Sequence, residues 1–322
     1  MKKYPLKISY ISKPAIWSGT RLVRQWGKLS ESDRIAETWE LSVRPKEMAI
    51  VLEGEAKGVT LQSYIEQCGA DCVFPQYRLG DRFPLLIKLI DAADRLSVQV
   101  HPDDELASER HDSFGKTEMW YIADAEEGAV IYLGFNNKKI TREEYIKAVA
   151  EGTVADILQA VPVKKGDVFF IPTGTVHALA KGLNVIEIQQ TSDITYRIFD
   201  WNRVDSEGKS RELHTALAVD AINFESGVEE CRRTYTPVAN NEVNIVDCEF
   251  FKTDMLVVDG VAELDYCKRD SFTIYMCIEG DVKVTLDNGT SDTLRTGEVM
   301  LVPAIANEVI IEGKAQILAS HL

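Results

Sequence analysis

The chain has 322 residues, 45% hydrophobic and 27% charged, a balance that suits two globular domains and disfavours disorder. Its formal net charge of −15 argues against nucleic acid as a partner, because a phosphate backbone calls for a basic surface. A phosphorylated small molecule stays admissible, since a few local Lys or Arg side chains can override the global field.

The N-terminal run Met1-Lys-Lys-Tyr-Pro-Leu-Lys carries charge without a continuous apolar core, so it does not read as a secretory signal. No window approaches the apolar length of a membrane span, about eighteen residues. Cys68, Cys72, Cys231, Cys248, Cys267 and Cys277 form no Cys-x-x-Cys pair and no zinc-finger spacing, and several sit in apolar runs. Reduced, buried thiols in a cytoplasmic protein are expected.

In chain order, strands are expected at Leu85-Leu-Ile-Lys-Leu-Ile, Leu96-Ser-Val-Gln-Val-His, Met119-Trp-Tyr-Ile, Val130-Ile-Tyr-Leu, Val168-Phe-Phe-Ile and Asn184-Val-Ile-Glu-Ile-Gln. Alternation puts Val98 and Val100 on one face and Gln99 and His101 on the other. Thr141, with Glu144 three residues on, is a capping box that opens a helix. Residues 156–161 suggest a second short helix, and residues 210–222 a third after the polar loop 205–209. From about residue 232 the pattern is almost purely β, with an Asn-Gly hairpin signal at 288–289.

A weak repeat links the halves: Gly166-Asp-Val-Phe-Phe-Ile-Pro172 recurs as Gly297-Glu-Val-Met-Leu-Val-Pro303. In each copy the Gly serves a turn, the apolar run a buried strand, and the Pro its end. Five residues after the proline the first copy has His177, the second Glu308. The expected architecture is therefore mainly β, two jelly-roll barrels with a few helical inserts in the first. The boundary falls near 230, giving a metal-binding unit over 1–230 and an all-β unit without metal ligands over 231–322.

The chemistry is concentrated in residues 97–118 and 166–177. Gln99 and His101 share a strand face, Glu118 borders another strand, and His177 follows the Pro172–Gly174 turn. Two neutral imidazoles and a carboxylate make a common divalent-metal set, which an amide oxygen can complete. A lone strand histidine is ordinarily a satisfied core or surface residue, but here the pieces coincide. His111 in a polar loop, His214 on a surface helix and His321 at the C-terminus are expected to be solvent-exposed. Lys88 and Glu187 interrupt apolar strands, Lys116 lies two residues before Glu118, and Arg197 lies between apolar neighbours. Each needs either a salt-bridge partner or a polar cavity to face.

Taken together these residues resemble the type I mannose-6-phosphate isomerases, zinc-dependent members of the cupin superfamily, in their short bacterial form. The likeness runs through Ile16-Trp-Ser-Gly-Thr-Arg, Ala36-Glu-Thr-Trp-Glu-Leu-Ser, Pro84-Leu-Leu-Ile-Lys-Leu-Ile-Asp, Leu96-Ser-Val-Gln-Val-His-Pro, Gly115-Lys-Thr-Glu-Met-Trp, Ile171-Pro-Thr-Gly-Thr-Val-His and Tyr196-Arg-Ile-Phe-Asp-Trp. The resemblance implies two cupin barrels and one zinc ion per chain, held by Gln99, His101, Glu118 and His177. It further implies an active-site arginine at Arg197, cavity lysines at Lys88 and Lys116, and a cavity serine at Ser97. Glu187 matches the family's cavity glutamate with a one-residue difference in spacing. The chain also departs at Ser18, where the family has a second glycine, and at Lys181, where cupins usually carry Asn.

The implied reaction interconverts mannose 6-phosphate and fructose 6-phosphate through a cis-enediol, with Glu187 or Lys116 as the general base. Arg197 and Lys88 are the groups expected to receive phosphate or enediolate charge. Two other readings share the same ligands: a non-catalytic sugar-phosphate-binding cupin, and a facial-triad Fe(II) oxygenase.

Overall fold

The computed structural model describes residues 3–69, 73–74, 82–136, 140–204 and 207–322. Cys72 and positions 205 and 206 of the expected polar loop lie outside the described residues. The chain is mainly β, with a few short helices inserted in its first part, as its sequence pattern requires.

Two antiparallel sheets build the N-terminal part. One runs in the order Leu158–Pro162, Val130–Phe135, His177–Leu179, Val98–Val100, Tyr196–Phe199. The other runs Arg232–Arg233, Val168–Ile171, Glu118–Ala125, Leu183–Gln190, Leu85–Ala92, Glu37–Leu41, Ile11–Lys13. Apolar side chains of both fill the space between them, among them Ile90, Trp120 and Val185 from the second sheet and Ile131, Leu133 and Leu179 from the first. These are open sheets packed face to face in a jelly-roll sandwich rather than closed barrels.

The seven-stranded sheet is buried on its outer face too. Leu85, Ile87, Leu89, Met119, Tyr121, Ile186 and Ile188 pack there against Phe272, Ile274, Met276, Leu301 and Leu318 of the C-terminal part. Burial on both faces explains why Leu85–Ala92 and Leu183–Gln190 lack a clean polar alternation. It also sets the facing of their polar residues: Lys88 and Glu187 fall on the inner face, with Ile90 and Val185.

The C-terminal sheet is built on three fourteen-residue strands, Lys252–Asp265, Thr273–Leu286 and Glu308–His321. These strands curl, so that alternate residues such as Val258, Val284, Ile311 and Ile317 enclose a second core. The curl is made at glycine. A Cβ on Gly280 (φ +90°) would stand 2.0 Å from the Lys314 carbonyl oxygen, and Gly313 (φ +137°) sits under the facing strand. The N-terminal strand Leu6–Lys7 joins this sheet beside Val299–Val302, while Arg232–Arg233 pairs back to Val168–Ile171.

Local expectations fare unevenly. The capping box at Thr141 and Glu144 opens the helix Arg142–Glu151, and Asn288-Gly289 turns the hairpin. Residues 156–161 are not a helix: a 3₁₀ turn at Val154–Ile157 leads into Leu158–Pro162, an edge strand where Pro162 is tolerated. Only Thr215–Ala221 of the third expected helix is helical; residues 210–214 before it are irregular, and their Arg211 lines a cavity. His111 ends the helix Asp104–His111 rather than lying in a loop, though it is exposed. His321 is not exposed; its strand extends to the chain end and brings Nε2 within 3.3 Å of Asp254. His214 is half-buried, its Nδ1 accepting from the backbone N–H of Arg197. Cys231 and Cys277 are buried free thiols, whereas Cys267 is exposed. No described helix is long and apolar enough to cross a membrane.

Candidate metal centre and active site

Sheet register assembles the site from two facing rows of side chains. Across the seven-stranded sheet, Trp39, Lys88, Glu187, Trp120 and Phe169 occupy successive cross-strand positions. Across the five-stranded sheet the row is Leu133, His177, Gln99 and Arg197. Glu118 lies beside the first row, opposite Gln189. His101 follows directly on Val98–Val100, and its carbonyl accepts from the N–H of Gly174, whose φ of +84° makes the turn that delivers His177.

His101, Glu118 and His177 are fully or almost fully buried, and one ligand atom from each lies within 4.8 Å of the others. Each imidazole is oriented by a carbonyl: His101 Nδ1 meets Ile194 O at 2.9 Å, and His177 Nδ1 meets Thr175 O at 2.8 Å. A carbonyl can only accept, so each Nδ1 carries the proton and each Nε2 presents a lone pair. Burial, reinforced by the Lys116 charge, pushes both imidazoles down, His101 well below its usual range and His177 to about 4. Both are neutral near pH 7.

Those two lone pairs aim at a carboxylate. His177 Nε2 is 3.3 Å from Glu118 Oε1, and His101 Nε2 is 3.5 Å from Oε2. Glu118 Oε1 is buried with no hydrogen-bond donor among the described residues. Lys116 reaches His101 Nε2 and Glu118 Oε2, but Glu118 Oε1 is left without a donor beside two converging Nε2 lone pairs, and this donor set fits a divalent metal. Gln99 brings its amide to 3.2 Å from His177 Nε2.

The lysines complete the inner end. Lys116 Nζ lies 3.1 Å from His101 Nε2, contacts Glu118 Oε2, and stands 3.6 Å from Glu187 Oε1. Lys88 Nζ donates to Glu187 Oε1 at 2.8 Å, while Trp120 Nε1 donates to Oε2 at 3.0 Å. Thus Lys88 is both paired and in a cavity wall, so the two resolutions open to a strand lysine are met at once. Burial raises Glu118, and the Glu187 charge adds to it, outweighing the lysines and leaving the carboxyl at about 7. For Glu187 burial is outweighed by Lys116 and Lys88, which hold it well below the carboxylate range. Two neighbouring carboxyls driven apart in this way are a frequent mark of acid–base sites.

A cavity of about 310 Å³ opens onto this cluster. Lys88, Ser97, Gln99, Lys116, Glu187 and Arg197, all expected from the sequence, lie in its wall. Arg197 is half-buried; its Nη1 donates to Glu212 O at 2.8 Å and its buried Nε has no partner among the described residues. Burial and then the nearby Arg211 lower its pKa. Trp17, Glu37, Trp39, Asp193, Thr195 and Arg211 also line the cavity and were not singled out from sequence. Trp39 and Glu37 were legible in principle, as alternate residues of Glu37–Leu41. Arg211 sits in an irregular segment where the sequence pattern suggested a helix.

Comparison with known proteins converges on one family. The family description "Phosphomannose isomerase type I, catalytic domain" matches residues 8–137, and "Mannose-6-phosphate isomerase, cupin domain" matches 241–322. The mannose-6-phosphate isomerase ManA of Bacillus subtilis is 36% identical over the whole of both chains. That of Streptococcus mutans is 32% identical over 98% of each. The crystal structure of a Bacillus subtilis mannose 6-phosphate isomerase superposes with a TM-score of 0.87 at 34% identity, covering 99% of this chain and 100% of that one. A putative mannosephosphate isomerase from Archaeoglobus fulgidus shares the fold, with a TM-score of 0.77 at 20% identity over 99% and 97% of the two chains.

Proposed function

The chain belongs to the type I mannose-6-phosphate isomerases, and from that premise we propose that it interconverts mannose 6-phosphate and fructose 6-phosphate through a cis-enediol at a zinc centre. The observation that carries the proposal is the convergence of two imidazole Nε2 lone pairs on the buried Glu118 carboxyl. His101, Glu118 and His177 would hold the ion, and Gln99 joins them by turning its amide oxygen inward. When bound, zinc supplies positive charge opposite the enediolate oxygen and brings no redox chemistry of its own.

The chain's own residues do the rest. The reaction takes the proton from C2 of the open-chain aldose. The C–H electrons become the C1–C2 double bond, and the carbonyl electrons move to O1. Return of the proton to C1, with transfer of the O2 proton to O1, gives the ketose. Lys116 and Glu187, 3.6 Å apart, are the proposed proton-handling groups. Arg197, opposite Gln99, stabilises the developing anion, and Lys88 and Ser97 orient the sugar from the cavity wall. All these residues fall within the proposed catalytic unit over 1–230, with 231–322 as its β partner. A cytoplasmic setting fits the free thiols.

The test is a coupled isomerase assay with mannose 6-phosphate on protein of measured metal content. Activity that tracks zinc occupancy is expected. Oxygen uptake with iron and a 2-oxo acid, or sugar-phosphate binding without isomer exchange, would put one of the other readings in its place.

A further inference from the structure

Arg211 lines the cavity and takes no part in the chemistry above. Its guanidinium is docked along one edge onto Asp200, Nε to Oδ2 at 2.8 Å and Nη2 to Oδ1 at 2.6 Å. Arg203 grips the same Oδ1 at 2.6 Å, and Asp200 is buried. The ring of Trp17 stacks against the guanidinium, 5.0 Å from its Cζ. A carboxylate behind and an indole beside fix the plane of this side chain. The two bonds to Asp200 leave Nη1 free of any hydrogen bond to a described residue. An arginine so held is pre-organised to offer donors to an anion.

The gathering of guanidiniums at this end of the cavity suits an anion. In the inner cluster Lys88 and Lys116 face Glu187 and Glu118, one carboxylate each. At the Arg211 end three guanidiniums, Arg197, Arg203 and Arg211, gather around Asp200, with Asp94 beside Arg203 and the Glu212 charge acting on Arg197. Arg197 has no ion-pair partner among the described residues, only a backbone carbonyl.

Register then gives the spacing. Arg197 pairs with Gln99 and Phe199 with Val98, so the chain running on to Asp200 moves toward Ser97 and away from His101. Gln99 to Ser97 is about 7 Å at the rise of a β-strand, comparable to the reach from the reacting carbons of a hexose to a group on C6.

We infer that Arg211, buttressed by Asp200 and Trp17, recognises the phosphate of the sugar phosphate, leaving Arg197 free to meet charge that develops nearer the reacting carbons. That the phosphate sits on a hexose rests on the isomerase reading; that an oxyanion binds at Arg211 does not. The experiment separates the two. Inorganic phosphate is titrated calorimetrically into zinc-loaded wild-type protein, Arg211→Gln, Arg211→Lys, and Arg142→Gln as a control that removes the same charge at the exposed Asp220 pair.

Arg211→Gln should weaken phosphate binding about 10- to 100-fold, with Arg211→Lys between and Arg142→Gln unchanged. In the isomerase assay the rise in KM for mannose 6-phosphate should exceed the fall in kcat, at unchanged zinc content. A purely structural role for Arg211 would leave phosphate affinity alone while lowering the melting temperature. Phosphate affinity equal in wild type and Arg211→Gln, or none in wild type, overturns the inference. Phosphate binding that depends on Arg211 in a protein without isomerase activity sinks the isomerase reading and keeps the oxyanion site.

Discussion

Replacing Glu187 with Gln puts the charge ledger of the inner cluster to the test. The substitution keeps the shape and an acceptor for Trp120 Nε1 but removes the carboxylate that Lys88 pairs with, 2.8 Å away. Lys116 then keeps Glu118, and Lys88 keeps only the more distant charges of Glu37 and Glu118. Removing one member of a buried ion pair costs about 3–5 kcal/mol. For a chain of 322 residues that predicts a fall in melting temperature of roughly 4–7 °C. Lys88→Met in the same chain should recover much of it, because an absent pair is cheaper than a broken one. Acidity supplies a second reading. The folded-state pKa of Glu187 is depressed, so its contribution is present above the unfolded value, about 4.3, and fades as pH falls toward the folded one. The gap between wild type and variant, followed by circular dichroism melts of zinc-loaded protein, should therefore be full between pH 6 and 8 and shrink below about pH 4. A variant melting within a degree of wild type at pH 7, or a gap that widens on acidification, refutes the reasoning.

His101→Ala and His177→Ala should each lose metal and activity together, measured by elemental analysis and the coupled assay on the same sample. Arg197→Lys keeps a positive charge but not a planar fork. It should lower kcat by about 10²-fold with the metal retained, and an unchanged kcat removes Arg197 from the chemistry. Gly280→Ala forces a Cβ against the Lys314 carbonyl at positive φ and should cost about 2–4 kcal/mol in denaturant melts while leaving zinc stoichiometry near one per folded chain.

Much of the site was legible because its residues obey short-range rules. Gln99 and His101 share a strand face, and Lys88 and Glu187 stand out as charges inside apolar runs that needed an explanation. The register that sets Lys88 directly opposite Glu187 depends on strand pairing between residues a hundred positions apart, which no local pattern encodes. Arg211 was missed for the same reason: its meaning comes from Asp200 and Trp17, which only tertiary structure brings to it. The helix expected at 156–161 gave way to a strand because the edge of a sheet was available to pair with. His321 looked like a free terminus until the last strand was seen to run to the chain end and seat it against Asp254.

The lone pairs of His101 and His177 converge with the Glu118 carboxyl in the sandwich interior, where a divalent ion would bind all three. Elemental analysis of the purified protein, paired with mannose 6-phosphate turnover before chelation, after it, and after readdition of zinc, addresses that point directly. About one zinc per chain, with turnover abolished by the chelator and restored by the metal, is the predicted result. Full turnover in protein stripped of metal contradicts the account.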